Sequence, residues 1–144
     1  MADFTIKVTA DHTDEVLRDL EATKARILES WGQVGVTHVK DVITAASRVD
    51  TGAMRNSINH QVANDENAVY VGSNNSYAPF HEYGTGIYLE SDDGRQGRQT
   101  PWSYQDSHGE WHRTRGMKPI HMIKNGIGDH ISEFKKIAED ELKK

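Results

Sequence analysis

Several features that would point to familiar classes of protein are missing from this chain of 144 residues. It contains no cysteine, which excludes disulfides, thiolate nucleophiles and zinc bound through sulfur, and which fits synthesis in a reducing cytoplasm. No apolar run approaches the ~20 residues that a membrane-spanning helix needs. Residues 1–4 lack the basic and apolar regions of a secretory signal. We therefore expect one domain over residues 1–144, without a role in a membrane.

Positive charge is also scarce, because 17 basic residues stand against 22 acidic ones and the net charge is -5. A dedicated nucleic-acid binder is usually strongly basic, since neutralised phosphates supply most of its affinity. The balance is reversed between residues 95 and 118, where basic residues outnumber acidic ones. A solvated loop is the ordinary explanation of such a charge cluster, and a surface that faces DNA is the alternative.

A long amphipathic helix is predicted in the first third of the chain. Apolar residues recur at steps of three and four from Val16 to Ala46, and Trp31 belongs to this stripe. No proline interrupts the pattern, and Asp11 or Thr13 can cap its start.

The predicted length of this helix conflicts with the size of the domain. A helix over residues 11–47 would be about 55 Å long at ~1.5 Å per residue. A compact domain of this size is roughly 38 Å across. Either the helix bends or breaks at Gly32 and Gly35, or part of its apolar stripe packs on another subunit.

Short strands are predicted at three places. Residues 4–8 alternate between apolar and polar, as a half-buried strand does. Residues 58–62 and 68–71 flank an Asn/Asp-rich break and predict a β-hairpin, and residues 102–104 and 111–113 flank a turn and predict a second one. The aromatic residues expected to pair across the second hairpin are Trp102, Tyr104 and Trp111.

The second half of the chain combines a long irregular segment with a helix. Residues 86–118 are rich in glycine, and a connection this long is usually functional or disordered. Pro119 suits the first turn of a C-terminal helix whose apolar stripe follows. The predicted fold is α+β, with a long N-terminal helix and a C-terminal helix packed on a small antiparallel sheet and a long flexible loop.

The first of two motifs is Val49–Ile58. It contains Asp50-Thr51-Gly52, a triplet found in acid proteases, where each of two subunits contributes one aspartate. Such an aspartate is presented by a loop that leaves an apolar strand, whereas the residues before Asp50 close a helical stripe. We therefore favour a structural role, in which Asp50 caps a helical turn and Met54 and Ile58 point inward.

The second motif, Tyr77–Gly86, predicts a short helix that ends at Gly84. The residues that this helix would place near one side are Ala78, His81 and Tyr83. Glu82 is a candidate buried acid, and we expect its carboxylate to bond backbone groups or an arginine such as Arg55.

Histidine is abundant, with eight residues, but the pattern of a metal site is missing. His108 and His112 are four residues apart, yet they straddle Gly109 in a predicted turn, and no HExxH motif accompanies them. The sequence also shows no phosphate-binding glycine loop and no nucleophile elbow. We expect no metal, no cofactor and no catalytic residue.

Together the two motifs resemble those of the siphophage proteins called tail-completion, tail-to-head joining or minor tail components. That family has a long N-terminal helix, a Val-Asp-Thr-Gly segment, a hairpin, a Tyr-Ala-x-x-x-Glu-x-Gly-Thr segment, a variable loop and a C-terminal helix. The chain resembles it over essentially its whole length, with Met54 for leucine and Lys118-Pro119-Ile120 where proline-phenylalanine is usual. The matching residues are Asp50, Thr51, Gly52, Arg55, Ser57, Tyr77, Ala78, Glu82, Gly84 and Thr85.

The resemblance implies a virion structural protein without enzymatic activity, made in the cytoplasm of the bacterial host. It implies a position at the head-proximal end of the tail and three partners: copies of itself in a ring of six, the tail tube protein and the head connector or stopper protein. DNA would pass through the lumen of such a ring. The residues that we expect at assembly contacts are Trp31, Trp102, Trp111, Arg113 and Arg115.

Two further expectations and two alternative functions follow. Residues 86–118 are expected to be mobile in the free protein and to become ordered on assembly, and Arg113 and Arg115 could face DNA in the lumen. A host-encoded or prophage-derived interaction module is an alternative function. A homodimeric acid protease that uses Asp50 is the other.

Overall fold

The computed structural model describes residues 13–144, with side chains from residue 15 onward. The strand predicted at residues 4–8 and the cap predicted at Asp11 lie outside the described residues. Within the described part the fold is α+β, as predicted, with five helices and two separate antiparallel hairpins. No helix in this part is both long enough and apolar enough to cross a membrane.

The first helix, α1, spans Thr13–Ala45 and continues without a break through both glycines of its middle section. At 33 residues it is about 50 Å long at ~1.5 Å per residue. Gly32 allows α1 to pack closely against the neighbouring hairpin, because a Cβ atom on it would lie 2.2 Å from Cδ2 of His60. Of the alternatives, a break at Gly32 or Gly35 is therefore wrong, whereas a bend, or packing of part of the apolar stripe on another subunit, stays a prediction.

The first hairpin matches its prediction. Strands β1, Ile58–Ala63, and β2, Ala68–Ser73, pair in antiparallel register, with Ile58 opposite Ser73. A 3-10 turn at Asn64–Glu66 joins them, and Asn67 closes the turn with a φ of 52°, a left-handed conformation that asparagine tolerates. The hairpin lies against α1.

The end of the chain forms two helices, where one was predicted. Helix α4 spans Met122–Gly128 and α5 spans Ile131–Leu142. The residues around the junction, Asn125 to Asp129, include two glycines and have low helix propensity, which explains why the helix ends there. Pro119 does not open α4, because the N-cap residue of that helix is His121.

The hydrophobic core lies where α1, the first hairpin and α4 meet. Its centre is formed by α1 residues that lie one helical turn apart, Val39 and Ile43, and both are completely buried. The buried apolar residues of the described chain are Leu28, Val39, Ile43, Met54, Ile58, Ala78, Met122 and Phe134.

Two short helices and a second hairpin complete the described fold. Helix α2 spans Ala53–Ser57, α3 spans Ala78–Tyr83, and strands β3 and β4 span Trp102–Gln105 and Trp111–Thr114. This second hairpin was predicted, but the expected pairing of Trp102, Tyr104 and Trp111 across it is wrong.

The register of the second hairpin differs from the prediction. Trp102 lies opposite Thr114, Tyr104 opposite His112, and Trp111 opposite Gln105. Trp111 therefore lies on the other face of the hairpin from Trp102 and Tyr104, because side chains alternate along a strand and a shift of one residue exchanges the faces.

Candidate functional site

The first motif is a connector between α1 and the hairpin. Asp50 is exposed, and its carboxylate bonds no other described residue, so the predicted cap by Asp50 is wrong. Thr51 makes the bond instead: its Oγ1 accepts a hydrogen bond of 3.2 Å from the backbone N–H of Ala53. Gly52, with a φ of 84°, precedes α2. Asp50 follows a helix and not a strand, which is not the setting of an acid-protease aspartate.

The other polar residues of this motif attach it to its neighbours. Arg55 Nε donates a hydrogen bond of 2.9 Å to Oγ1 of Thr44 on α1. The hydroxyl of Ser57 lies 2.5 Å both from the carbonyl oxygen of Met54 and from Oγ of Ser73 on β2. Met54 is buried, as predicted, and the motif thus holds α2 between α1 and the first hairpin.

Glu82 is the buried charged residue of the described chain, with 7% of its surface exposed. Its two carboxylate oxygens accept hydrogen bonds from the backbone N–H groups of Ile123 (2.8 Å) and Lys124 (3.1 Å). These N–H groups belong to the first turn of α4, which has no partners for them within the helix. The expected bond to backbone groups is confirmed, and Arg55 is not its partner.

Ala78 and Glu82 are one helical turn apart and share the buried side of α3. The expectation that Ala78, His81 and Tyr83 lie on one side is wrong, because Tyr83 is exposed and His81 is half-buried. The opposite side of α3 presents aromatic rings to solvent. These exposed residues, called the aromatic face below, are Tyr77, Phe80 and Tyr83.

The end of the second motif closes the base of the long loop. The backbone N–H of Thr85 donates to the carbonyl of Met117 (2.9 Å), and the N–H of Met117 donates back to Oγ1 of Thr85 (2.9 Å). One residue further on, Gly86 crosses Arg115 so closely that a Cβ atom on Gly86 would lie 1.9 Å from the Arg115 carbonyl oxygen. Gly84, with a φ of 80°, ends α3 as predicted.

Arg48 and His81 form a junction that the sequence did not indicate. Arg48 Nη1 donates to Nδ1 of His81 (3.2 Å), and its Nη2 donates to the carbonyl of Lys118 (2.9 Å). The carbonyl of His81 in turn accepts from the N–H of Ile120 (2.8 Å). Burial, and secondarily the cation of Arg48, hold the pKa of His81 below its usual value.

This junction predicts that acid weakens the fold. As the pH falls through about 6.5, the unfolded chain takes up a proton on His81 while the folded chain does not, so the free energy of unfolding decreases. We expect His81→Asn to lose less stability than the wild type between about pH 7.5 and 5.5, where an unperturbed histidine titrates. Urea unfolding across that range measures the difference. The matched control is His108→Asn in the exposed hairpin turn, and an identical pH dependence of wild type and His81→Asn would contradict the prediction.

Two groups of side chains could be considered for a metal ion. His38, His130 and Glu133 bring three ligand atoms within 4.8 Å of one another. The rings of His38 and His130 are stacked, however, 3.5 Å apart and 4° from parallel. An imidazole binds a metal along a lone pair in its own plane, so two stacked rings cannot both point at one ion. His38 Nε2 instead lies 2.7 Å from Oε2 of Glu133, a contact that joins α1 to α5.

The second group, Asp106, Glu110 and His112, lies on the second hairpin. Asp106 accepts hydrogen bonds from the backbone N–H groups of His108 and Glu110 (both 2.9 Å), and its other oxygen lies 2.7 Å from Nε2 of His112. The hydrogen bond with the His112 ring lowers the pKa of Asp106 more than either bond from the backbone does. These bonds define the turn, and they leave Asp106 with few free lone pairs for an ion.

The residues expected at assembly contacts do not form one site. Trp31 is half-buried, and its Nε1 donates to the carbonyl of Phe134 (2.8 Å). Trp102 is partly buried under the guanidinium of Arg98, 5.5 Å from the ring centre. Trp111, by contrast, is 69% exposed on the second hairpin. Arg113 and Arg115 are exposed on or beside β4.

An apolar surface that the sequence did not single out lies at the start of α1. Val16, Leu17 and Leu20 are each more than half exposed and share one side of the helix, and they are called the apolar ridge below. Every residue from 15 to 22 is exposed, so this part of α1 projects beyond the body of the domain. Apolar periodicity predicted the apolar stripe on α1. Only the tertiary structure shows that no described residue covers the start of this stripe.

The comparisons with known proteins agree with these features. A protein-family model described as "Bacteriophage HK97-gp10, putative tail-component" matches residues 9–84, which is more than half of the chain and includes all of the first motif. The match ends at Gly84, within the second motif. No curated protein and no solved structure matches the chain. The chain therefore belongs to the HK97-gp10-like family of bacteriophage tail components.

Proposed function

We propose that the protein completes the head-proximal end of a phage tail as a ring of identical copies, and that this ring joins the tail tube protein to the head connector. The observation that carries the proposal is the start of α1, where no described residue covers Val16, Leu17 and Leu20. A helix that extends beyond its domain and exposes an apolar ridge is costly in water, since each fully buried side chain of this kind contributes about 1.5–3 kcal/mol. A neighbouring subunit in an assembly would cover it.

The bonding of the polar residues in the two motifs also fits a structural part. Glu82, Arg55 and Ser57 bond to other parts of the same chain, and each is used to hold two elements together. Their role would be to keep the domain rigid while its surfaces contact neighbours. The aromatic face on α3 supplies a second exposed apolar surface, and a component that joins two different structures needs more than one.

The second hairpin is proposed as a further contact. Its base is fixed by the bonds of Thr85 to Met117, while Trp111, Arg113 and Arg115 are exposed beyond that base. We propose that residues 86–118 move in the free protein and become ordered against the next subunit or the tail tube. Arg113 and Arg115 are the candidates for a contact with DNA in the lumen.

Deletion of the gene in the phage that carries it tests the function. We expect the lysate to contain filled heads and complete tails that are not joined, and the number of infectious particles to fall to background. Electron microscopy of the lysate and plaque counts measure these outcomes, and expression of the wild-type chain in the host should restore joined particles.

Normal, infectious particles from the deletion strain would contradict the proposal and favour an interaction module with another role. A lysate that contains heads but no tails would place the protein at an earlier step, in building the tail itself.

A further inference from the structure

An apolar groove with a volume of about 700 Å³ lies between β2 and the two C-terminal helices. Trp31 and Phe134 meet edge to face at its floor, with ring centres 6.2 Å apart. Ile123, Ile127 and Ile131 line the side formed by α4 and α5, and Ile131 is half exposed. Clefts of about 300–1,000 Å³ with mostly apolar walls are the usual size for binding sites. The groove is thus formed and open in the single chain.

The apolar ridge has the form that such a groove accepts. A helix that binds in a groove presents apolar anchors at steps of three and four residues. Leu17 and Leu20 are three residues apart, and Val16 and Leu20 are four apart, so the three side chains form one raised strip on α1. The backbone beside the strip is uncovered from residue 15 to residue 22.

The charges around the two surfaces are opposite. Lys124 and Lys135 lie at the edge of the groove, and neither forms an ion pair with another described residue. The exposed part of α1 carries Glu15, Asp19 and Glu21 against Arg18, with Glu21 also 2.9 Å from Nζ of Lys24 in the next turn, so its net charge is negative. Opposite charges at the rims of two surfaces guide their association and fix their register.

The ridge and the groove of one chain cannot meet. Trp31, at the floor of the groove, belongs to the same unbroken helix as Leu17 and lies fourteen residues after it. At ~1.5 Å per residue this separation is about 21 Å along a rigid helix. If the ridge binds in a groove of this kind, the groove therefore belongs to a different chain.

We propose that the apolar ridge of one copy binds in the apolar groove of the next copy, head to tail. The two surfaces differ, so the contact is heterologous, and its repetition gives a closed ring when the rotation between copies closes. The proposal rests on the ring of the proposed function and specifies its subunit contact.

The absence of cysteine from the chain makes a direct test available. Arg18→Cys places a thiol beside the ridge, and Gly128→Cys places one at the groove, where an added Cβ atom meets no other atom within 4 Å. Both changes leave the apolar residues and the two lysines intact. With a short bismaleimide, we expect the double variant to give a ladder of covalent oligomers that stops at the size of the ring.

Mixing the two single variants should give covalent dimers and nothing larger, because each chain then carries one thiol. The control pair is Arg18→Cys with Ser107→Cys, which moves the second thiol to the exposed hairpin turn and should give no ladder. Adding Leu17→Asp to the Arg18→Cys, Gly128→Cys chain should abolish the ladder, whereas adding Leu142→Asp, at an equally exposed leucine of α5, should leave it unchanged.

The measurement is made on concentrated purified protein and on phage particles that carry the double variant. A ladder in either sample supports the contact. No ladder in both, a cross-link within a single chain, or a cross-link from Gly128→Cys to a different virion protein would overturn it.

Failure of the contact and failure of the function give different results. Particles that contain and require the protein but show no ladder would leave the joining role intact and refute the proposed contact. A ladder from purified protein, combined with normal particles after deletion of the gene, would support the contact and refute the joining role.

Discussion

Replacing Glu82 by alanine is expected to lower the free energy of unfolding by about 3 kcal/mol, the largest effect of any single side chain outside the apolar core. The carboxylate is buried and accepts two backbone hydrogen bonds at the start of α4. Without it, the N–H groups of Ile123 and Lys124 lose an acceptor that the first turn of α4 cannot supply from within the helix. Chemical denaturation followed by circular dichroism measures the change.

Glu82→Gln separates the charge from the hydrogen bond. Glutamine keeps one acceptor oxygen, so we expect a loss of about 1 kcal/mol. The control is Glu90→Gln, which removes an exposed carboxylate that lies 2.7 Å from Nε2 of His121, one residue before α4. Exposed pairs contribute little, so this variant should be nearly as stable as the wild type. Equal stability of Glu82→Ala and Glu90→Gln would refute the role of Glu82 in holding α4.

Replacing Gly86 by alanine is expected to open the base of the long loop and to cost about 4 kcal/mol, in the range reserved for severe backbone conflict. Gly86 has a φ of 62°, and an added Cβ atom would lie 1.9 Å from the carbonyl oxygen of Arg115, which is backbone and cannot move aside alone. The hydrogen bonds of Thr85 and Ile87 across the base should be lost with it. Hydrogen exchange of these two amides reports on the base directly.

Gly94 provides a matched control for this prediction. It also has a left-handed conformation, with a φ of 75°, but an added Cβ atom there meets no other atom within 4 Å. Gly94→Ala should therefore cost only the intrinsic penalty of about 1–2 kcal/mol for a left-handed residue. If the two variants lose the same amount of stability, the close crossing at Gly86 does not hold the loop.

The periodicity of apolar residues predicted the structure correctly where it depends on contacts between residues close in the sequence. The long helix, the first hairpin and the inward positions of Met54 and Ile58 followed from periodicities of three to four residues and of two, because each pattern reports which side of an element is buried. The resemblance to phage tail components followed from motifs of about ten residues, and the family match over residues 9–84 confirmed it.

Local pattern failed where a residue meets a distant part of the chain. The cap predicted for Asp50 failed for a local reason: the N-cap residue of α2 is Gly52, which has no side chain, and the N–H of Ala53 donates to Oγ1 of Thr51 instead. The register of the second hairpin depends on the length of its turn, and the residue types in that segment did not predict this length. The junction of Arg48 with His81 joins residues 33 positions apart and left no periodic signal.

The sequence by itself determined the fold class, the order of the elements and membership of the family, because these depend on patterns within a few helical turns or a few strand residues. Only the tertiary structure decided that Glu82 supports α4, that α1 continues through its glycines, and that no described residue of the same chain covers the apolar ridge or the apolar groove. Burial depends on which distant elements pack together, so a stripe of apolar residues predicts that a surface must be covered but not which part of it is left for a neighbour.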